Sequence, residues 1–531
     1  MNRSLLFPKF FVRLDTKQAL CKICTKTFNK TTGNSSLRFH LLGSHQEQAK
    51  EFDKIEKAAT SQKRKATETP KIGDFFKRKR SDKEELFELA ATFALNSLPH
   101  SLIDEPHFRK ILKTPVSSGL LREAIIDLAE KLSHDVLKQL RGRPTTICID
   151  GWTNVVGEKT TNVLLVADGA AYYWSSIVIH EENTADNICR ELRPIIQKLL
   201  DEGVRVIAVT GDNENLMKAT QTKLVGSFPF LIKIGCCAHV VQLMLKKRAE
   251  SEPLKSAFEK IQDILHRFSS NKALRSQVYS LLCSCLISTD NVLQLLKTQR
   301  SNKKQPKKLV RIAETRWTSY LLAIDRIILL KPELSYILSL SPSYWEDIEK
   351  SRKIVAPFHA FSKAIEKDDA TLLDASNAFK ALKTKTSSKE EEKEVIQLYI
   401  DRHCNSEVMQ AAELLSFMTR DSENCFDFIV DWGCTYLAKF DIAVDNTYNL
   451  LTEQLGKFVA RNPPFHRIPD LKSKSGKPSH VWGRLIGQAP ELCEVALALL
   501  TIACTESCVE RSFSAQKRVH TETRSAFLSP N

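Results

Sequence analysis

Residues 145–150 read Thr-Thr-Ile-Cys-Ile-Asp. β-branched and apolar residues fill the run up to one terminal acid, the pattern of a buried strand that presents a polar group at its carboxyl end. Strand chemistry continues beyond it. Asn162–Ala167 and Tyr172–His180 are two more β-rich runs, joined by the turn Asp168-Gly169-Ala170. Thr184–Glu202 then shows helical spacing, with Asn183 or Thr184 as its cap, Gly203 as its stop and Pro194 as a candidate kink. Val204–Val209 is a buried strand, a helix follows from about Glu214, and Pro229–Ile234 is a fifth short strand. The predicted order is β-β-β-α-β-α-β. It leaves Asp150 and Asp212 at the carboxyl ends of strands, where a sheet presents its functional groups.

That order is the order of the ribonuclease H-like fold, in which a three-strand meander is extended by parallel strands. The fold puts one acid on its first strand and another just after its fourth, the places of Asp150 and Asp212. An ordinary α/β domain predicts neither the order nor the placement. After Cys236-Cys-Ala-His239 the sequence is helical for roughly 250 residues, with apolar segments at Ala257–Phe268, Val278–Leu286, Thr318–Leu330, Ser351–Glu366 and Glu392–Ile400. Two helices close the chain, Pro490–Ala503 and Thr505–Val519. The second carries a third acid, Glu510, within Ser-Cys-Val-Glu-Arg-Ser-Phe-Ser (507–514), and Ser507, Glu510, Arg511 and Ser514 share a face by their spacing. Three converging carboxylates offer hard oxygen ligands to two Mg²⁺ or Mn²⁺ ions, and such a pair clamps an in-line attack on a phosphodiester.

Charge locates the polyanion-binding end. The chain carries +15 overall, but residues 1–80 contain 19 Lys+Arg against 7 Asp+Glu, so +12 of it lies there. The fourteen cysteines show no disulfide-scaffold spacing, which suits a reducing compartment. Leu5–Phe11 is broken by Pro8 and Lys9 and does not read as a signal peptide, although Arg3, Lys9 and Arg13 leave a mitochondrial presequence conceivable. No apolar run approaches the ~20 residues of a membrane span.

Inside the basic end lies a metal-ligand pattern: Cys21-x2-Cys24, fifteen residues, then His40-x4-His45. A Cys-x2-Cys knuckle and two His about one helical turn apart supply the four ligands of tetrahedral zinc. Leu37, Leu41 and Leu42 give the helix an apolar face, and Phe10, Phe11 and Phe28 can pack under the hairpin. The stretch resembles a BED-type finger. The resemblance implies DNA binding, with Lys22, Lys26, Lys30 and Arg38 as candidate phosphate contacts.

Downstream, Lys63-Arg64-Lys65 and Lys77-Arg78-Lys79-Arg80 are spaced as a bipartite nuclear import signal, or form a solvated basic run. The import reading implies a nuclear protein and an import receptor as partner. Between the clusters, Ile72, Phe75 and Phe76 resemble a motif that docks on the replication sliding clamp, with Thr69 in the usual Gln place; packing on the chain's next domain is the other reading. Glu84–Asn96 and Ser118–Leu140 are predicted helices of a small module.

Taken together the motifs resemble the hAT superfamily of DNA transposases. The resemblance rests on the finger, Cys-Ile-Asp-Gly-Trp-Thr (148–153), Val-Thr-Gly-Asp-Asn-Glu-Asn (209–215), Cys-Cys-Ala-His (236–239), Glu-Thr-Arg-Trp (314–317) and Val-Glu-Arg-Ser-Phe-Ser (509–514), in that order along nearly the whole chain. It implies a multidomain protein: BED-type ββα finger, 1–55; basic linker, 56–82; helical module, 83–143; first part of an α/β ribonuclease H-like core, 144–247; all-α insertion, 248–488; remainder of the core with a dimerisation region, 489–531. It also implies an enzyme that cuts and joins transposon-end double-stranded DNA, with Asp150, Asp212 and Glu510 as the acid triad and Cys236 and His239 as a Cys-x2-His signature. His239 would orient a phosphate or water, or be satisfied by backbone at its helix start. Trp317 would handle a flipped base, with Arg316 and the basic stretch Lys303–Arg311 beside it, or be core. Trp152 reads as structural. Further helices follow the Glu-Arg-x-Phe-Ser helix in the family, whereas this sequence runs only to Asn531; the expectation is a shortened dimerisation region and a weak dimer. The alternative is a domesticated derivative that binds DNA in transcription or chromatin without cutting it.

Overall fold

The computed structural model describes residues 10–13, 18–29, 40–41, 43–47, 82–112, 116–154, 157–270, 309–310, 318–386, 390–404, 406–419, 423–468 and 477–519. The chain divides into two compact units, 1–89 with 112–116, and 90–111 with 117–531.

The first unit contains an antiparallel sheet of β1 (Phe11–Arg13), β2 (Gln18–Cys21) and β3 (Thr27–Asn29) in that order. Helical backbone follows at 40–41. Phe10, Phe11 and Leu41 are buried, and the Phe11 and Phe28 rings meet edge to face at 6.0 Å. Leu37 and Leu42 lie outside the described residues.

Asp82–Leu95 (α1) is helical, and in the second unit Ser118–Leu140 (α2) has the predicted bounds; its N-cap Ser117 accepts a hydrogen bond from the Leu120 N–H. The sheet that follows is built from β4 (Pro144–Thr153), β5 (Lys159–Ala167), β6 (Ala170–Ile179), β7 (Arg205–Gly211) and β8 (Ile232–Gly235), in the spatial order β6-β5-β4-β7-β8. β4, β5 and β6 form an antiparallel meander; β7 runs parallel to β4, and β8 parallel to β7. The β5–β6 turn is tight because Asp168 and Gly169 both take positive φ, 49° and 76°, the conformation a two-residue hairpin favours. α3 (Ala185–Asp201) connects β6 to β7. It is capped by the Thr184 hydroxyl, is stopped before Gly203 and carries Pro194 within one continuous helix. α4 (Asn215–Ser227) connects β7 to β8, and α5 (Cys237–Ala249) leaves β8.

The predicted element order is therefore present, with shifted ends. β4 runs on to Thr153 because Asp150–Thr153 keep their register with Lys159–Asn162. The fifth strand begins only at Ile232, since the Leu231 N–H turns back to the Phe228 carbonyl.

The described residues from 254 to 499 are helical apart from their connections. They comprise α6 (Leu254–Ser270), α7 (Thr318–Leu329), α8 (Lys331–Leu338), α9 (Pro342–Ile365), α10 (Leu372–Thr386), α11 (Glu390–His403), α12 (Ser406–Leu415), α13 (Phe426–Lys439), α14 (Thr447–Ala460), α15 (Pro478–Leu485) and α16 (Pro490–Leu499). Val278–Leu286 lies outside the described residues. The apolar core of these helices is continuous with α5 and with Ile207, Ile232 and Ile234 of the sheet. Two buried indoles fix it through backbone oxygens: Trp432 Nε1 donates to Phe230, and Trp482 Nε1 to Leu415.

The predicted helix Pro490–Ala503 stops at Leu499. The next residues are recruited by the sheet instead. The Ala503 N–H donates to Thr146 Oγ1, the Ala503 carbonyl accepts from Thr210 Oγ1, and the Cys504 carbonyl accepts from the Cys237 N–H. These bonds hold the chain extended across β4 and β7 before α17 (Ser507–Val519) begins.

Candidate functional site

Strand alternation aims the first acid. Ile147 and Ile149 enter the core beneath α3, while Cys148 enters a second small core with Val509 of α17. Side chains alternate along a strand, so Asp150 shares the Cys148 face and points toward α17. β7 lies parallel with Cys148 opposite Thr210, which brings Asp150 and Asp212 out of the same sheet edge side by side. Asp150 accepts a hydrogen bond from the Gly151 N–H at 2.7 Å, and Asp212 one from the Glu214 N–H at 3.1 Å.

The third acid is brought over by side chains that fasten α17 to the meander. Asn162, opposite Asp150 in register, is fully buried; its Nδ2 donates to Ser512 Oγ at 2.8 Å and Gln516 Oε1 at 2.9 Å. Its Oδ1 accepts from Ser176 Oγ. Trp152 stacks on Phe513 with centroids 5.5 Å apart, which gives it the structural role expected of it. Asn162→Ala strands the Ser512 and Gln516 groups, so it is expected to cost about 1–3 kcal/mol in equilibrium unfolding and to raise hydrogen exchange in α17 above that of α3.

Asp150, Asp212 and Glu510 line one cavity of about 470 Å³. Among the described residues their carboxylates do not gather within 4.8 Å of one another as a group of three, so the acids are spread around the cavity. Burial, then Glu506, Asp212 and Glu510, push the Asp150 carboxyl well above its ordinary range. Burial first pushes Asp212 up to about 6. Glu506, also on the cavity wall, is pushed up to about 8, first by burial and then by Glu510 and Asp212. The folded cation-free protein therefore holds protons that the unfolded chain releases. By linkage its stability is fully present below about pH 4 and is lost as pH rises through about 6 to 8. A divalent cation held here would bind the deprotonated acids, so any melting-temperature gain from Mn²⁺ is expected to be larger at pH 8 than at pH 6 in thermal scans.

α5 supplies the opposite wall. Cys236 is its N-cap, the thiol accepting from the His239 N–H at 3.4 Å. His239, Gln242, Leu243 and Lys246 line the cavity at i, i+3, i+4, i+7 spacing. Burial holds the His239 ring below its ordinary value, against the pull of Glu214 and Glu510. The end of α11 reaches the same region. A Cβ on Gly235 would lie 2.0 Å from the His403 carbonyl oxygen, so glycine alone permits the approach, and His403 Nδ1 sits 2.9 Å from Lys218 Nζ. Burial, then Lys218 and Arg402, hold the His403 ring down at about 4.

Sequence reasoning missed Glu506 and Lys246. The α5 periodicity would have found Lys246; Glu506 stands four residues before Glu510 but precedes the helix. Of the face predicted on α17, only Glu510 lines the cavity, while Arg511 pairs with Asp368 and donates to the Glu366 carbonyl. Arg316 and Trp317 lie outside the described residues, as do Lys30, Arg38, Lys303–Lys308 and Arg311.

The first unit holds a metal-type centre. Cys21, Cys24, His40 and His45 bring their ligand atoms within 4.8 Å of one another. Cys24 Sγ lies 3.3 Å from His40 Nε2, and Cys21 Sγ 3.7 Å from His45 Nε2. Those spans bracket the roughly 3.5 Å that separates sulfur and nitrogen corners of a zinc tetrahedron with bonds of about 2.3 and 2.0 Å. Burial, then His45 and Lys26, hold the His40 ring below its ordinary value, favouring the neutral imidazole that metal requires. The cluster could hold zinc. Lys22 and Lys26 are exposed beside it, Lys26 Nζ 5.9 Å from the Phe28 ring centre.

Two family models match the chain. One, described as a domain of unknown function (DUF659), matches residues 115–264; the other, the hAT family C-terminal dimerisation region, matches residues 465–529. No curated protein matches. The matches point to a transposase-type, DNA-binding protein. They indicate, more narrowly, a hAT-family transposase, and the C-terminal match supports self-association. That match starts at Phe465, well upstream of the boundary at 489 expected for a shortened region.

Proposed function

We propose that this chain is a metal-dependent DNA transposase whose ribonuclease H-like core cuts and rejoins transposon ends. The observation that carries the proposal is the convergence of Asp150, Asp212 and Glu510, distant in sequence, on one cavity. The donors are hard carboxylate oxygens, and Asp212 and Glu510 add to the burial that raises the proton affinity of Asp150, which fits Mg²⁺ or Mn²⁺ held by these three residues. When bound, such ions supply charge neutralisation and lower the pKa of a coordinated oxygen nucleophile.

The chain's own groups do the rest. Lys246 and Lys159 offer positive charge to a phosphate backbone, and burial favours the neutral form of the His239 ring, which can accept a hydrogen bond from water or a 3′-hydroxyl and orient it. Trp152 and Asn162 keep the Glu510 helix in place. The finger, of BED type, contributes duplex binding through Lys22 and Lys26, with Lys30 and Arg38 next to it in sequence. Arg316 and Trp317 would receive an unstacked base during hairpin formation. Self-association would pair two DNA ends, and the paired basic clusters of the linker would direct the protein to the nucleus through an import receptor.

The test sequences the DNA on either side of the gene for terminal inverted repeats and uses the protein with duplexes carrying those ends. Nicking at the repeat boundary in Mg²⁺ or Mn²⁺, absent with EDTA, is expected. Sequence-specific binding with no strand scission in either metal would instead assign a DNA-binding role without catalysis.

A further inference from the structure

We infer that Glu506 is a fourth carboxylate of the divalent-cation site, joining Asp150, Asp212 and Glu510 as a ligand. The inference rests on the proposed metal-dependent reading of that cavity and names a residue the reading does not need.

Glu506 occupies an unusual place for an acid. It is 4% exposed, it borders the cavity, and its Oε2 has no hydrogen-bond partner among the described residues. A buried carboxylate oxygen without a donor costs several kcal/mol unless a proton or a cation satisfies it. No Lys or Arg forms an ion pair with it among the described residues. Its near neighbours are the Cys236 thiol and three other acids, Glu510, Asp212 and Asp150.

Its position is enforced by the backbone. Residues 503–504 are held across the sheet by Thr146, Thr210 and the Cys237 N–H. Glu506 then opens α17, its carbonyl accepting from the Val509 and Glu510 N–H groups. One turn of helix separates the two glutamates, which share the cavity wall. The same contacts therefore fix the backbone positions from which Glu506 and Glu510 both reach the cavity. A buried acid that hydrogen-bonds the Cys236 thiol but keeps one carboxylate oxygen unpartnered, beside three further acids, meets the donor requirement of a hard cation.

The competing role is structural: Glu506 stays protonated and fills space beside Cys236. Glu506→Gln separates the two, because glutamine copies the shape and hydrogen bonding of the protonated acid but is a far poorer cation ligand. Mn²⁺ binding to the metal-free full-length protein is measured by isothermal titration calorimetry, with zinc retained in the finger. The expected result is a Mn²⁺ affinity in Glu506→Gln lower by at least the roughly tenfold that loss of an outer-layer partner costs. The metal-free variant should melt at or above the wild-type temperature, which shows that it folds. Glu506→Asp, which keeps the charge on a shorter stem, should recover part of the affinity. Wild-type affinity in Glu506→Gln, alongside lost affinity in Asp150→Asn, would overturn the role of Glu506 and leave the cavity reading standing. Absence of Mn²⁺ binding in the wild-type protein would overturn both.

Discussion

Asp150→Asn in the full-length protein should abolish metal-dependent strand cleavage, by about a thousandfold or more, while leaving the fold intact and DNA binding near wild type. The same holds for Asp212→Asn and Glu510→Gln. Each amide keeps the volume of its acid and removes the charge a divalent cation needs. The physical signature goes beyond lost activity. Burial, and then the acids around it, hold the Asp150 carboxyl well above its ordinary range, so in the folded, cation-free protein its charge is a burden. Asn removes that burden, and the metal-free variant should melt no lower than wild type. The Mn²⁺-induced rise in melting temperature should shrink in the same variant. A substitution that lowers cleavage and metal-free stability together would indicate a packing role. One that leaves cleavage intact would remove that residue from the site.

The second large effect belongs to the finger. Cys24→Ser or His45→Ala should unfold residues ~10–50 while the second unit keeps its melting transition, because a module this small has little core apart from its metal. Its described apolar interior amounts to Phe10, Phe11, Leu41 and the edge of Phe28. Duplex affinity should fall, and mass spectrometry under native conditions should show the loss of one zinc per chain. Hydrogen exchange over 18–29 that stays protected after chelation would refute a metal-built finger.

Much of the architecture was legible because it is local. The runs at 145–150, 162–167 and 204–209 are β-branched and apolar, and local turn and cap chemistry marks their connections: Asp168-Gly169 turns the chain after the second, and Thr184 and Gly203 flank the helix before the third. The zinc-type cluster was legible because four ligands at fixed spacing are a local pattern. The end of the helix after Pro490 was not, since the apolar run continues to Ala503. What breaks it is a set of bonds from Thr146, Thr210 and Cys237, residues hundreds of positions away. Glu506 was missed for the same reason. Its burial comes from how that extended segment crosses the sheet, which no window around residue 506 contains. Asn162 likewise reads as one polar residue in a strand until its register with Asp150 and its bonds to α17 are seen.

The central claim is that the acid-lined cavity binds the divalent cations of a DNA-cutting reaction. Anomalous diffraction from crystals of the full-length protein grown in Mn²⁺ tests it most directly. The account predicts manganese peaks in the cavity within about 2.0–2.6 Å of carboxylate oxygens from Asp150 and Asp212, with Glu510 completing the set. A fully ordered cavity that contains no manganese, in crystals where zinc occupies the Cys21–Cys24–His40–His45 cluster, would contradict it.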